Sequence, residues 1–439
     1  MEGSSQQNLT REQKEAVGLL SIGTMLEYFD LMLYVHMAVL LNELFFPKTD
    51  QFTASLLSAF AFCSAFVFRP FGALLFGWLG DNIGRKSTVV ITTFLMSFSC
   101  LIMANLSTYS QIGITAAWLV TICRMIQGIS SIGEIVGAEL YLTETIKPPL
   151  RYPCVALMTV AANVGTFVAL GVASLVTSFG FNWRLAFWVG AVVALIGAIA
   201  RTSLRETPEF VDAKKRINNM LKTVNLPIDK NIVPLKKISK THVIGYFLIE
   251  CTRPLWFCIS YIYCGNLLKN KFGFTSDEII NQNFIVSAVD MFFVIVLMFL
   301  VNRFHPIKKV LTIQFLIYVI PLLFIATILD YITSPFELLI FQALVLIAPT
   351  GYPAQAVFYS YFPVLHRFKC SSLIFATSRA FMYTISTFGI VILTDKFGHT
   401  GLMFIVVPII LGYSYGLITF RKSNSIGFNL EKLEKEQLG

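Results

Sequence analysis

Apolar residues run along this chain in stretches of about twenty, and each stretch ends at a polar, Pro or Gly break. A bilayer core about 30 Å thick needs about 20 apolar residues of helix to cross it, so each stretch predicts a membrane-spanning helix. Twelve spans are read, near 17–46, 52–79, 87–106, 112–141, 154–179, 184–201, 242–268, 281–301, 309–329, 335–361, 371–393 and 400–420. The longest are expected to tilt or to extend past the lipid. One long polar segment, Thr202 to Lys240, divides them into two sets of six. The pattern predicts an all-α membrane protein with twelve transmembrane helices in two six-helix halves. These are an N-terminal bundle over 1–201, a central loop over 202–240, a C-terminal bundle over 241–421 and a short tail over 422–439.

Composition agrees. Of 439 residues, 56% are hydrophobic and 13% charged, with mean hydropathy +0.70. A soluble domain carries about a quarter charged residues, so the solvent expected for most of this surface is lipid. Residues 1–16 are polar, and the first apolar run is long and lacks a small-residue cleavage site, unlike a cleavable signal. The eight cysteines contain no CxxC pair and lie almost all within apolar runs, which argues against metal or disulfide roles.

The net charge of +9 by itself could indicate nucleic acid, but its distribution decides otherwise. With both termini in the cytoplasm, 25 of the 34 Lys and Arg residues fall on the cytoplasmic side, 5 on the outer side and 4 (Arg69, Arg124, Arg253, Arg379) within spans. Membrane proteins carry this bias in their cytoplasmic loops. The partner implied is the lipid bilayer, and no nucleic-acid partner is required.

Two motifs stand out. The loop after span 2 reads Gly77-Trp78-Leu79-Gly80-Asp81-Asn82-Ile83-Gly84-Arg85-Lys86, with Gly at its turns and basic residues on the cytoplasmic side. Span 4 carries Arg124-Met-Ile-Gln127-Gly128, then Gly133-Glu134. The spacings G-x3-D-x2-G-R-K and R-x2-Q-G-x4-G resemble the signatures of the major facilitator superfamily. That resemblance implies that Gly80, Asp81, Gly84, Arg85 and Lys86 form a gate. It also implies that Asp81 meets the N-terminus of span 11 near Ser371-Ser372, where a carboxylate faces the positive end of a helix dipole.

Further stretches are similar to the metabolite:proton symporter branch, which includes transporters for proline/betaine, citrate, 2-oxoglutarate and shikimate. They are Glu27-Tyr28-Phe29-Asp30 with Tyr34, Phe45-Phe46-Pro47, Phe68-Arg69-Pro70-Phe71-Gly72, Gly133-Glu134, Trp183-Arg184 (with Ala186 where the branch has Pro) and Glu206-Thr207-Pro208-Glu209-Phe210. The second half is looser. Phe362-Pro363-x3-Arg367 fits, but the loop Asn302 to Lys309 has neither the Asp nor the Gly of the expected repeat.

Glu27, Asp30 and Tyr34 fall at i, i+3 and i+7 and share one helix face. Two carboxylates one turn apart repel, and a proton on one of them relieves both the repulsion and the cost of burial. Asp30, then Glu27, then Glu134 are the proton-coupling candidates, together with Arg124; a cation such as Arg69 or Arg124 opposite the pair would instead favour the charged form. A permanently ionised structural pair with Arg69, or an Arg124 that only packs the first half, is the other reading. Buried arginines from both halves suit a carboxylate, which guanidinium binds bidentately. The substrate-binding candidates are Tyr34, Arg69, Glu250, Arg253, Trp256, Gln355 and Arg379. Glu250 and Arg253, at i and i+3, are alternatively a mutually neutralising pair. Tyr28, Tyr34, Trp256, Tyr359 and Tyr361 offer faces for a quaternary ammonium.

No nucleotide-binding loop, catalytic triad or metal site is legible, so the chain is read as a non-enzymatic carrier with no cofactor and a proton gradient as its driving force. The expected function is import of a small carboxylate-bearing or zwitterionic metabolite by a single chain in a bacterial inner membrane. Export is an alternative, weakened because span 5 lacks the G-P motif of drug antiporters. A larger polycarboxylate such as a citrate-derived siderophore, or a non-transporting sensor on the same scaffold, are the others.

Overall fold

Thr10 opens the first helix with a capping box: its side chain accepts from the Gln13 amide while Gln13 accepts from the Thr10 amide. Capped ends and Gly or Pro punctuation set the later helices. The computed structural model describes residues 8–37, 41, 44–47, 63–179, 182–202 and 238–437. The first half holds α1 (Arg11–His36), α2 (Cys63–Asn82), α3 (Arg85–Asn105), α4 (Ile114–Thr145), α5 (Arg151–Phe179) and α6 (Arg184–Arg201). The second holds α7 (Lys240–Phe272), α8 (Ser276–Arg303), α9 (Pro306–Leu323, continued by Ile325–Tyr331) and α10 in two pieces (Pro335–Leu346 and Gln355–Ser360). It ends with α11 (Val364–Phe397) and α12 (Met403–Gln437). Among the described residues nine helical stretches are long and apolar enough to cross a membrane. The outward faces carry Phe71, Trp78, Phe98, Trp118, Phe292 and Ile317, each more than half exposed, as lipid contact requires.

Three departures from the sequence reading have local causes. First, α4 runs to Thr145, α11 starts at Val364 and α12 continues to Gln437, all beyond the apolar windows, because a helix persists where its surface turns polar. Second, α10 is not continuous but unwinds over residues 347–351 around Pro349 and before Pro353. Four of its carbonyls are taken by side chains: Leu346 by Arg253, Ile347 by Gln314, Pro349 by the Trp256 indole and Thr350 by the Tyr413 hydroxyl. Such backbone is tolerated at membrane depth only when satisfied within the protein. Third, α7 breaks at Cys251 and contains a wider turn over Cys258–Tyr263. Pro254 cannot donate to the carbonyl of Glu250 and crowds it, and Arg379 fills that carbonyl instead at 3.3 Å.

The two halves meet along α2 against α11 and α5 against α8. Within the first half, α2 and α4 approach so closely that a Cβ on Gly128 would stand 1.9 Å from the Ala65 carbonyl oxygen. Small residues let membrane helices pack backbone to backbone in this way. The sequence expectations for 203–237, including Glu206 to Phe210, and for 52–62 lie outside the described residues.

Candidate functional site

A cavity lies between the halves, lined by α1, α2, α4 and α5 on one side and by α7, α8, α10 and α11 on the other. Its charged lining is Arg69, Glu139, Arg253, Asp290 and Arg379. Proline sets the first of these. Pro70 interrupts α2 with an irregular turn at Phe68, and Arg69 follows with its guanidinium 4.6 Å from the Phe66 ring centroid.

The second half supplies two buried ion pairs. Arg253 meets Asp290 through Nη2–Oδ2 at 2.7 Å and also donates to the Leu346 carbonyl at 3.0 Å. Arg379 meets Glu250 through Nη2–Oε2 at 3.1 Å, and Gln355 donates to the other Glu250 oxygen at 2.7 Å. Glu250 and Arg253 therefore do not neutralise each other across one turn; each is paired with a different helix. A buried charge needs a partner and further hydrogen bonds to offset lost hydration, and both pairs have them.

Among the fully buried polar atoms of the lining side chains, those without a hydrogen-bond partner among the described residues are all donors: Arg69 Nε and Nη2, and Asn163 Nδ2. The lining acids are satisfied, Asp290 by Arg253 and Glu139 by the Tyr359 hydroxyl at 2.5 Å. Glu27 lies within electrostatic reach of Arg69, as do Tyr28 and Tyr383. These buried donors call for an acceptor.

The candidates divide into three groups. Arg69, Arg253 and Arg379 line the cavity, and Glu250 and Gln355 stand behind Arg379 as its support. Tyr34 and Trp256 do not line it. Tyr34 is stacked 4.2 Å beneath the Arg124 guanidinium, and Trp256 is a buried brace for the α10 break. Arg124 itself donates to Gln127 at 2.9 Å inside the first half. Asp30 is buried and turned into the first bundle: a Cβ on Gly190 would sit 2.3 Å from its Oδ1, and the thiol of Cys100 is its neighbour. It does not line the cavity. The side chains of Glu134, Arg85 and His36 lie outside the described residues.

Among the described residues, contacts between the halves lie toward both ends of the cavity. At the end carrying the Gly80–Lys86 loop, three polar contacts cross between halves: Glu139 with Tyr359, Glu144 with Arg367 at 3.4 Å, and Asp81 with the Lys369 amide at 3.0 Å. One Asp81 partner is thus Lys369, two residues before Ser371, whose hydroxyl, like that of Ser372, is buried without a hydrogen-bond partner among the described residues. Toward the far end the halves meet through rings. Phe66 stacks on Tyr383 at 3.8 Å and Phe167 on Phe284 at 4.5 Å, with Ser174 donating to Asn281 at 2.6 Å. Where the second half lacks the acidic loop, His305 faces the Tyr152 ring at 6.2 Å, beside an apolar cluster of Ala156, Leu297, Val301 and Val310.

Glu139 and Glu144 were not among the candidates drawn from the sequence. Both sit in α4 at five-residue steps from Glu134, and an intramembrane carboxylate is itself a functional signal.

Paired charges thus lie toward one end, stacked rings toward the other and a polar cavity between the two helical halves. The profile of the Major Facilitator Superfamily matches residues 20–328, and the chain belongs to that superfamily. It is a multi-pass membrane protein of a transporter family and not an enzyme. Relatives include the inner membrane metabolite transport protein YhjE of Escherichia coli strain K12, 33% identical over 247 residues that make up 54% of each chain. The proline/betaine transporter of the same strain is 31% identical over 204 residues, 45% of this chain and 41% of its own. The chain spans about half the length of the curated relatives it matches. The structure of the proton:xylose symporter XylE, from E. coli, superposes with a TM-score of 0.71 at 16% identity, covering 93% of this chain and 94% of that one. At that identity the likeness is one of fold.

Proposed function

We propose that this protein is a proton-coupled secondary transporter that imports a small carboxylate-bearing or zwitterionic metabolite by alternating access. In this reading it acts in a bacterial inner membrane with both termini and the Gly80–Lys86 loop in the cytoplasm. The observation that carries the substrate class is the imbalance in the cavity: its acids are satisfied, while Arg69 and Asn163 retain buried donors without partners. A buried donor left unmade costs about 1–3 kcal/mol, and a carboxylate would satisfy both Arg69 and Asn163. Tyr28, Phe257, Tyr261 and Tyr352 around it suit a zwitterion whose ammonium packs on aromatic faces.

Arg69 belongs to the first half and Arg253 and Arg379 to the second. A ligand held between them favours closure of one half on the other, which is how binding drives rocking about a fixed central site.

The test is a thermal-shift screen of the purified protein with glycine betaine, proline, citrate, 2-oxoglutarate and shikimate, and xylose as a neutral control. A carboxylate should raise the melting temperature by mass action. Arg69→Lys keeps the charge but loses the planar fork, and should weaken that binding about tenfold. Stabilisation by xylose with none from any carboxylate would overturn the reading.

A further inference from the structure

We propose that Glu139 is the side chain whose protonation releases the gate at the Gly80-loop end, and hence the group that carries the proton. The second clause rests on the proton-coupled reading above; the first does not.

Position is the first argument. Glu139 is buried, lines the cavity and reaches across the boundary between halves to Tyr359. It faces the cavity on one side and the gate on the other. Glu144, paired with Arg367, lies five residues further along α4, about 7.5 Å at the helical rise. Beyond the Glu139–Tyr359 contact, the gate continues with that pair and with Asp81 on the Lys369 amide. A proton taken up from the cavity would therefore be released to the other side once these contacts part.

The company it keeps is the second argument. Asp290 and Glu250 are each locked by an arginine, so protonating either would strand a buried guanidinium. Among the described residues Glu139 has no ion pair; its hydrogen-bond partner is a neutral hydroxyl, so a proton there strands nothing among them. The charged and titratable groups that act on it are Tyr359 of α10, Glu250 of α7 and Arg379 of α11, with Tyr246 of α7 beside Tyr359. Tyr28 from α1 and Arg69 from α2 line the same cavity, while α5 presents Thr159, Ala162 and Asn163, none of them titratable. Asp30, by contrast, opens onto neither cavity nor gate.

A chain of contacts joins this latch to the ligand site. The Tyr246 and Tyr359 rings meet edge to face at 6.0 Å, and the Tyr246 hydroxyl donates to Gln355 at 3.0 Å. Gln355 donates to Glu250, which Arg379 holds. A ligand that draws on Arg379 therefore alters the field at the latch.

The sign follows from the hydrogen bond. Ionised Glu139 accepts a charge-assisted bond from Tyr359, about twice as strong as the neutral bond left after protonation. Adding the proton weakens the gate.

Cys370 lies on α11 beside Lys369 and is the one cysteine of the eight that is not fully buried, so it reports on this gate without added ligand. The experiment labels the whole protein in nanodiscs with a membrane-impermeant maleimide and locates the label by peptide mass spectrometry. At each pH the rate is divided by that of the unfolded chain, to remove the thiolate's own pH dependence. In the wild type the corrected rate should rise about tenfold as pH falls, the effect of one weakened contact. Glu139→Gln should be fast at every pH, and Tyr359→Phe should be fast with a reduced slope, which serves if the first variant folds poorly. A wild-type slope retained in both variants overturns the inference. So does a slope abolished by Asp30→Asn but not by Glu139→Gln. Because no substrate is present, failure of every carboxylate in the binding screen leaves this outcome standing.

Discussion

The backbone amide of Lys369 donates to the carboxylate of Asp81 at 3.0 Å, tying the end of α2 to the start of α11. The contact exists because nothing stands between the two helices: Gly77 lies where a Cβ would be 2.9 Å from Lys369 Cα, and Gly80 where one would be 3.0 Å from the Phe368 ring. A charge-assisted bond at a helix start gains from both the amide and the dipole.

Two glycines on neighbouring surfaces should therefore behave differently. Gly77→Ala obstructs only the closed gate, so it should leave the melting temperature nearly unchanged while raising the labelling of Cys370. Gly128→Ala drives a Cβ into the Ala65 carbonyl within one half. It should cost about 1–3 kcal/mol of stability or more, with no state of the cycle spared. Equal melting temperatures for the two variants would contradict the distinction.

The Glu250–Arg379 pair makes a second prediction. Glu250→Gln leaves a buried guanidinium without its counter-ion, and breaking a buried pair in this way costs about 3–5 kcal/mol. The melting temperature should fall clearly. Replacing both, Glu250→Gln with Arg379→Gln, should recover much of the loss, because no charge is then stranded. If the double variant melts no higher than the single one, the pair is not the unit described here.

These features were unevenly legible in the sequence. The helical spans follow from apolar length, a local property, whereas a gate role for the Gly80–Lys86 loop is implied only by its resemblance to the superfamily signature. Ion-pair choice is not local. Glu250 and Arg253 sit one turn apart and invite pairing, yet Pro254 breaks the helix between these partners and Asp290 and Arg379 arrive from α8 and α11. Glu139 poses the same difficulty: nothing local to α4 shows that its carboxylate meets the Tyr359 hydroxyl, which arrives from α10. The unwinding of α10 was signalled by Pro349 and Pro353, but the donors that make it tolerable come from α7, α9 and α12.

A pH effect is expected at the loop between α8 and α9. The imidazole of His305 caps α9, its Nδ1 accepting from the Lys308 amide at 3.4 Å. Burial, then the nearby Lys308 charge, lowers its pKa from the ordinary 6.5. The unfolded chain therefore binds the proton more readily than the folded one, and stability rises with pH across that window. This contribution is complete above about pH 6.5 and is lost as pH falls through 6.5 toward the folded value. Proton titration of His305 by NMR should give a midpoint below 6.5, and His305→Gln should flatten the acid side of the melting curve. A midpoint at or above 6.5 would contradict the assignment.

Reconstitution in liposomes reads directly whether a carboxylate crosses with a proton. The carboxylate that stabilises the purified protein is supplied outside, labelled, with an inwardly directed proton gradient imposed. Accumulation above the outside concentration, collapsing on addition of a protonophore and absent in Arg69→Lys at low substrate, is the predicted result. Uptake that proceeds at the same rate and to the same level with the protonophore present would contradict it.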